Sequence, residues 1–173
     1  MPRTTRPLSV EIREHVAENM KERVYATITL IALITALWQT ADHHSAGGAI
    51  GSIVGTVVAL WLATLISARV SHRAVHGKSL GRGDIFKLMF TSSGLFLPAI
   101  TPTFIILMSL SGVLSLQNAL LVSIIALLLS LFTLSFMASR RIYANNLGRA
   151  MWISPLEMSV GVGVVLLKLA IGE

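Results

Sequence analysis

Five long apolar stretches, at about residues 24–41, 47–71, 85–110, 117–139 and 152–172, alternate along the chain with short polar gaps. Each is close to or above the ~20 residues an α-helix needs to cross ~30 Å of hydrocarbon. The gaps are short, so consecutive helices run antiparallel and pack on one another. The pattern predicts an all-α integral membrane bundle of five transmembrane helices, forming a single domain over residues 1–173. Ahead of the first stretch, residues 8–23 carry a helical period. Glu11, Glu14, His15, Glu18 and Glu22 fall on one side, and Ile12, Val16 and Met20 on the other. An amphipathic cytoplasmic helix leading into the first span is expected there.

The charges orient the bundle. Of fourteen Lys and Arg residues, all but Lys168 fall in alternate gaps: Arg3, Arg6, Arg13, Lys21 and Arg23; Arg69, Arg73, Lys78, Arg82 and Lys87; Arg140, Arg141 and Arg149. The gaps at 41–46 and 111–117 hold none. Cationic loops stay cytoplasmic, so the N-terminus is expected inside and the C-terminus outside. Lys168 lies near the far end of the last stretch, where its stem can reach the outer interface.

With 54% hydrophobic residues and a mean hydropathy of +0.75, the composition is that of a membrane protein rather than a soluble domain. A net charge of +6 would suit nucleic acid, but these cations flank membrane spans. Orientation and anionic headgroups account for them, so the lipid bilayer is the expected partner and nucleic acid is not. The absence of cysteine removes disulfides, thiolate metal sites and cysteine nucleophiles. No signal-peptide core precedes the first span. No Ser/His/Asp arrangement, phosphate loop or pair of carboxylates at membrane depth can be assembled, so no enzyme and no required cofactor are expected.

Four features are candidates for chemistry. Along the second stretch Gly47, Gly51, Gly55, Ala59, Ala63, Ser67 and Ser71 recur every four residues, giving one smooth helical face. Such a face packs closely on a neighbouring span or forms a homodimer seam. In the third, Pro98 and Pro102 each remove a helical donor and free a carbonyl one turn back. This gives either a kink or, as in transporters with broken helices, oxygen ligands for a cation. In the last, Ser154, Pro155 and Glu157 have capping-box spacing, yet an acid at that depth also suits a cation ligand, with Met158 beside it. Finally, the Glu11, Glu14, His15, Glu18 and Glu22 stripe is either a solvated face or, with His72 and His76 spaced one turn apart, a cytoplasmic divalent-metal site. The run Asp42-His43-His44 carries weaker ligand potential on the outer side.

In these features the chain resembles the vacuolar iron transporter family of five-helix divalent-metal carriers. Ser92-Ser93-Gly94-Leu95-Phe96-Leu97-Pro98-Ala99-Ile100-Thr101-Pro102 is similar to that family's two-proline third helix. Phe136-Met137-Ala138-Ser139-Arg140 is similar to the end of its fourth, and Pro155-Leu156-Glu157-Met158 through Gly161 and Gly163 to its last. The small residues of the second span fit as well. The resemblance implies the fold, a homodimer and a divalent cation such as iron or manganese as substrate. It carries over Glu157 and Met158 from the family's pattern. The family's first-helix aspartate and acid-rich metal-binding domain have no counterpart here: residues 24–40 hold no acid, and the link after the second span is short and basic.

Two functions are therefore expected. The first is a multi-pass transporter-like protein of the bacterial inner membrane, moving a divalent cation in exchange for protons. Its candidate path runs from Glu11, Glu14, His15, Glu18, Glu22, His72 and His76 through Glu157 past Pro98 and Pro102. The second is a non-transporting module with the same fold that assembles with or regulates another membrane protein. Homodimerisation through Gly47, Gly51, Gly55, Ala59 and Ala63 is compatible with both.

Overall fold

A computed structural model describes residues 10–77, 81–142 and 147–171. Among the described residues six helices follow one another: α1 (Val10–Gln39), α2 (Ala46–His76), α3 (Arg82–Thr91), α4 (Leu97–Leu110), α5 (Leu116–Ile142) and α6 (Leu147–Ile171). Short 3-10 turns join α1 to α2 (Ala41–His43) and α3 to α4 (Ser92–Phe96). Among the described residues there is no strand. Among the described residues four helical stretches are long and apolar enough to cross a membrane: Ala46–Val75, Leu88–Leu110, Leu116–Arg140 and Ser154–Ile171. The fifth expected span is not one of these four. It is the second half of α1, whose first half is charged.

Helix α1 is the centre of the bundle, packing against α2, α4, α5, α6 and the Ser92–Phe96 turn. Its Leu30, Ile31 and Ile34 are wholly buried, facing Ile53 and Val57 of α2, Ile106 of α4, and Leu120 and Leu127 of α5 in one core. Thr27 and Thr35 are buried among them at no cost in unmade bonds. Their hydroxyls donate one turn back, to the Arg23 and Ile31 carbonyls, at 2.7 Å each. At the other end Gln39 Nε2 donates to the Lys168 carbonyl at 3.2 Å, tying the end of α1 to the end of α6.

Three expected boundaries shift. Residues 10–23 and the apolar stretch that follows form one uninterrupted helix, because no glycine or proline falls between Val10 and Gln39. The third span is not one kinked helix. Without its N–H, Pro98 cannot bond the Gly94 carbonyl, and the chain tightens into a 3-10 turn there. Pro98 then sits in the first turn of α4, where a missing N–H is harmless, while Pro102 lies inside α4 and is buried. In α6 the capping box does not form. The helix begins at Leu147, so Pro155 is internal and Ser154 is fully buried.

The smooth face of α2 is also left uncovered within the chain. Gly47, Gly51, Gly55 and Ala59 are exposed, and a Cβ placed on Gly51 or Gly55 would meet no atom within 4 Å. The close helix approach is made instead at Gly161 of α6. A Cβ there would lie 2.8 Å from Leu128 Cδ2, 3.1 Å from Leu131 Cδ2 and 3.5 Å from Ile31 Cδ1. Packing of this kind replaces the hydrophobic drive that lipid does not supply.

Candidate functional site

The break between α3 and α4 sets up the site. Ser92, the first residue of the 3-10 turn, is 1% exposed and rests on α1 beside Glu22, which is 6% exposed. Ser92 Oγ donates to Glu22 Oε1 at 3.1 Å. The turn can come this close because residue 94 is glycine: a Cβ there would lie 2.7 Å from Asn19 Oδ1 on α1. The second carboxylate oxygen, Glu22 Oε2, is buried with no hydrogen-bond partner among the described residues.

Glu22 lines a cavity of about 540 Å³ between α1 and α2, floored by Leu88 and Leu95. Its polar groups are mostly hydroxyls: Tyr25 and Thr29 from α1, and Thr64, Ser67 and Ser71 from α2. The cavity exists because α2 presents Ala63, Ser67, Ala68 and Ser71 there, too small to fill the gap. The C-terminal half of the small-residue face therefore makes space rather than contact.

At the mouth, Lys21 Nζ lies 3.4 Å from Glu18 Oε1, both side chains being more than half exposed. Such a pair contributes little to stability, but it leaves Glu22 as the uncompensated acid of the site. Glu22 stands just ahead of the apolar part of α1. Burial pushes its carboxyl above the usual value, and Glu18 adds to this, while the Ser92 bond and Lys21 oppose it.

The structure thus brings together two of the sequence-predicted ligands, Glu18 and Glu22. The side chains of Glu11, Glu14, His15 and His76 lie outside the described residues. His72 is half-buried on α2 and does not line the cavity. Glu157 is exposed on α6 with Met158 half-buried beside it, and neither lines the cavity. Pro98 borders a separate cavity of about 200 Å³ with Arg23, Thr101 and Ser130. Among the described residues no three His, Cys, Asp or Glu side chains converge as a metal cage.

From the sequence, Ser92 is one of the third-span hydroxyls available to satisfy groups freed by the prolines, with no partner on α1 expected, and Tyr25, Thr29 and Thr64 are passed over. The available signal was the Ser92-Ser93-Gly94 run one turn before a proline. It marks where a helix ends and a hydroxyl becomes free to reach across.

Compared with models of protein families, with curated proteins and with solved structures, the chain finds no match.

Proposed function

We propose that this chain is a small membrane carrier for a divalent cation, exchanged for protons, with Glu22 as the carboxylate that meets the ion. The observation that carries this reading is the buried, half-partnered Glu22 facing a hydroxyl-lined cavity. A carboxylate nine-tenths out of water with one oxygen unpaired is expensive to keep, and a cation or a proton is what would satisfy it. The expected role of Glu157 passes to Glu22, because Glu157 is exposed and does not line this cavity.

In this reading the second half of α1 is the fifth span, the N-terminus is cytoplasmic, and the Glu22 cavity opens at the cytoplasmic end of a bacterial inner-membrane protein. The test is Mn²⁺ uptake into proteoliposomes by wild type, Glu22→Gln and Glu157→Gln. Uptake lost in Glu22→Gln and kept in Glu157→Gln is the expected result. No uptake by a folded wild type overturns the carrier.

A second reading has its own observation, the exposed glycine face of α2. A non-transporting module would use that face to assemble with a second copy or another membrane protein. It predicts that Gly55→Leu abolishes assembly while Glu22→Gln leaves function intact.

A further inference from the structure

A second cavity, of about 200 Å³, lies between α1, α4 and α5. We infer that it seats the headgroup of an anionic glycerophospholipid from the leaflet on the Arg23 side, with the phosphodiester on Arg23 and an ester carbonyl on the hydroxyls of Thr101 and Ser130. Such a site is independent of the carrier reading.

The gap is a product of residue size. Ala126 and Ser130, one turn apart on α5, line it together with Pro98 and Thr101 of α4, and none of the four is long enough to fill it. Arg23 reaches it past the 3-10 turn: its Nε lies 4.0 Å from where a Cβ on Gly94 would sit. Leu97 and Thr101 on the α4 wall are exposed, so a lipid alongside the bundle can enter from the side. At ~30 Å³ per water-sized group the space holds roughly seven, enough for a phosphodiester and an ester but not for acyl chains. The chains would lie outside, along the apolar surface of α4.

Three donors line this space without a partner of their own. Arg23 is half-buried and makes no ion pair among the described residues. The neighbouring acid, Glu22, turns to Ser92 and the other cavity. A guanidinium drawn partly out of water calls for an anion, and its planar fork matches two phosphate oxygens at once. The hydroxyls of Thr101 and Ser130 make no hydrogen bond among the described residues. By contrast, Ser123 and Thr133 on α5 donate to carbonyls one turn back at 2.7 and 2.6 Å. The two cavity hydroxyls are therefore free to donate to a ligand.

The order of these groups is that of a lipid. Arg23 stands where the charged half of α1 meets its apolar half, whereas Thr101 and Ser130 lie inside apolar spans. A glycerophospholipid presents a phosphate at the membrane boundary, ester carbonyls beneath it and hydrocarbon beneath those. Basic pockets between helices at a membrane face suit such headgroups. Among the described residues no carboxylate lines the cavity to pair with an ammonium, so phosphatidylglycerol is favoured over phosphatidylethanolamine.

The site is tested by native mass spectrometry of the full chain in detergent, titrated with either lipid. The first phosphatidylglycerol is expected to bind about tenfold more tightly than phosphatidylethanolamine, and an excess of inorganic phosphate should not displace it. Arg23→Gln is expected to weaken it about tenfold or more, the usual scale for a lost charged hydrogen bond. Ser130→Leu fills the cavity and keeps the charge; it should weaken binding as much while melting like wild type, which separates lost binding from lost fold. Arg140→Gln removes the charge of an exposed residue on α5 and is expected to leave binding unchanged. Equal affinity for the two lipids, or displacement by phosphate, overturns the lipid site. So does wild-type binding by Arg23→Gln or Ser130→Leu, or equal weakening by Arg140→Gln.

Discussion

Ser92 donates its hydroxyl hydrogen to Glu22 Oε1 at 3.1 Å, joining positions 70 residues apart at a point where both side chains are buried. The bond holds one carboxylate oxygen against the turn and leaves Oε2 buried without a hydrogen-bond partner among the described residues. Ser92→Ala removes the one partner the described structure gives this carboxylate. A hydrogen bond to a charged group is worth about 1.5–3 kcal/mol, so a loss of that order in stability is expected near neutral pH. Thermal unfolding of the purified variant measures it. Ser92→Thr, which keeps the hydroxyl, is expected to recover most of the loss, whereas a purely steric role for residue 92 would not be rescued.

The direction of Glu22's shift gives a pH dependence. Its carboxyl is raised above 4.5, chiefly by burial. The folded state therefore holds a proton that the unfolded state has already released. Stability then falls as pH rises from about 4.5 through the raised value, and levels off above it. Glu22→Gln cannot ionise, so it is expected to flatten this slope and to unfold at a higher temperature than wild type at pH 7. A pH series of melting curves for both proteins checks the sign. A wild-type midpoint that climbs across that window would mean that Glu22 is stabilised as the anion.

What could be read from the sequence and what could not divides along physical lines. Apolar runs long enough to span a membrane are a one-dimensional property, and four of them stand in the structure nearly where hydropathy puts them. The site depends on which faces meet, and sequence periodicity does not decide that. Gly51 and Gly161 are both glycines on apolar helices, yet only Gly161 has neighbours inside the distance a Cβ needs. Likewise Glu18 and Glu22 belonged to a five-residue stripe that looked equally eligible throughout. Burial singles out Glu22, because the Ser92–Phe96 turn folds over that residue and no other of the stripe whose side chain is described. Glu157 drew attention as a lone acid in an apolar run, but the start of α6 at Leu147 puts it on an exposed face.

The two glycines yield a paired prediction. Gly161→Leu must push a branched side chain against Leu128 and Leu131, already within 2.8 and 3.1 Å of where its first carbon would sit. Overpacking of this kind costs about 1–3 kcal/mol, so a lower melting temperature is expected in a protein that is otherwise monodisperse. At Gly55 a Cβ would meet nothing within 4 Å in the chain, so Gly55→Leu should melt like wild type. If α2 is a seam between copies, the same variant converts a dimer to a monomer by light scattering in detergent. Equal destabilisation by both substitutions would contradict the packing described for α6 and α2.

The number of crossings turns on α1, and the absence of cysteine from the chain makes it measurable. His43 and Val113 are exposed in the two gaps that lack Lys and Arg, and Val75 is exposed at the Arg-bearing end of α2. Single cysteines at 43 and 113 are expected to react with a membrane-impermeant maleimide added outside intact cells, and a cysteine at 75 only after permeabilisation. Ser9→Cys then decides the fifth span. If the apolar half of α1 crosses the bilayer, residue 9 lies with residue 75 and is protected, as the placement of Arg3, Arg6, Arg13, Lys21 and Arg23 requires. If residue 9 reacts from outside together with residue 43, α1 lies along or beside the membrane and the bundle has four crossings. Glu22 would then sit on the outer side, and a carrier gathering its ion from the cytoplasm through that cavity would be ruled out.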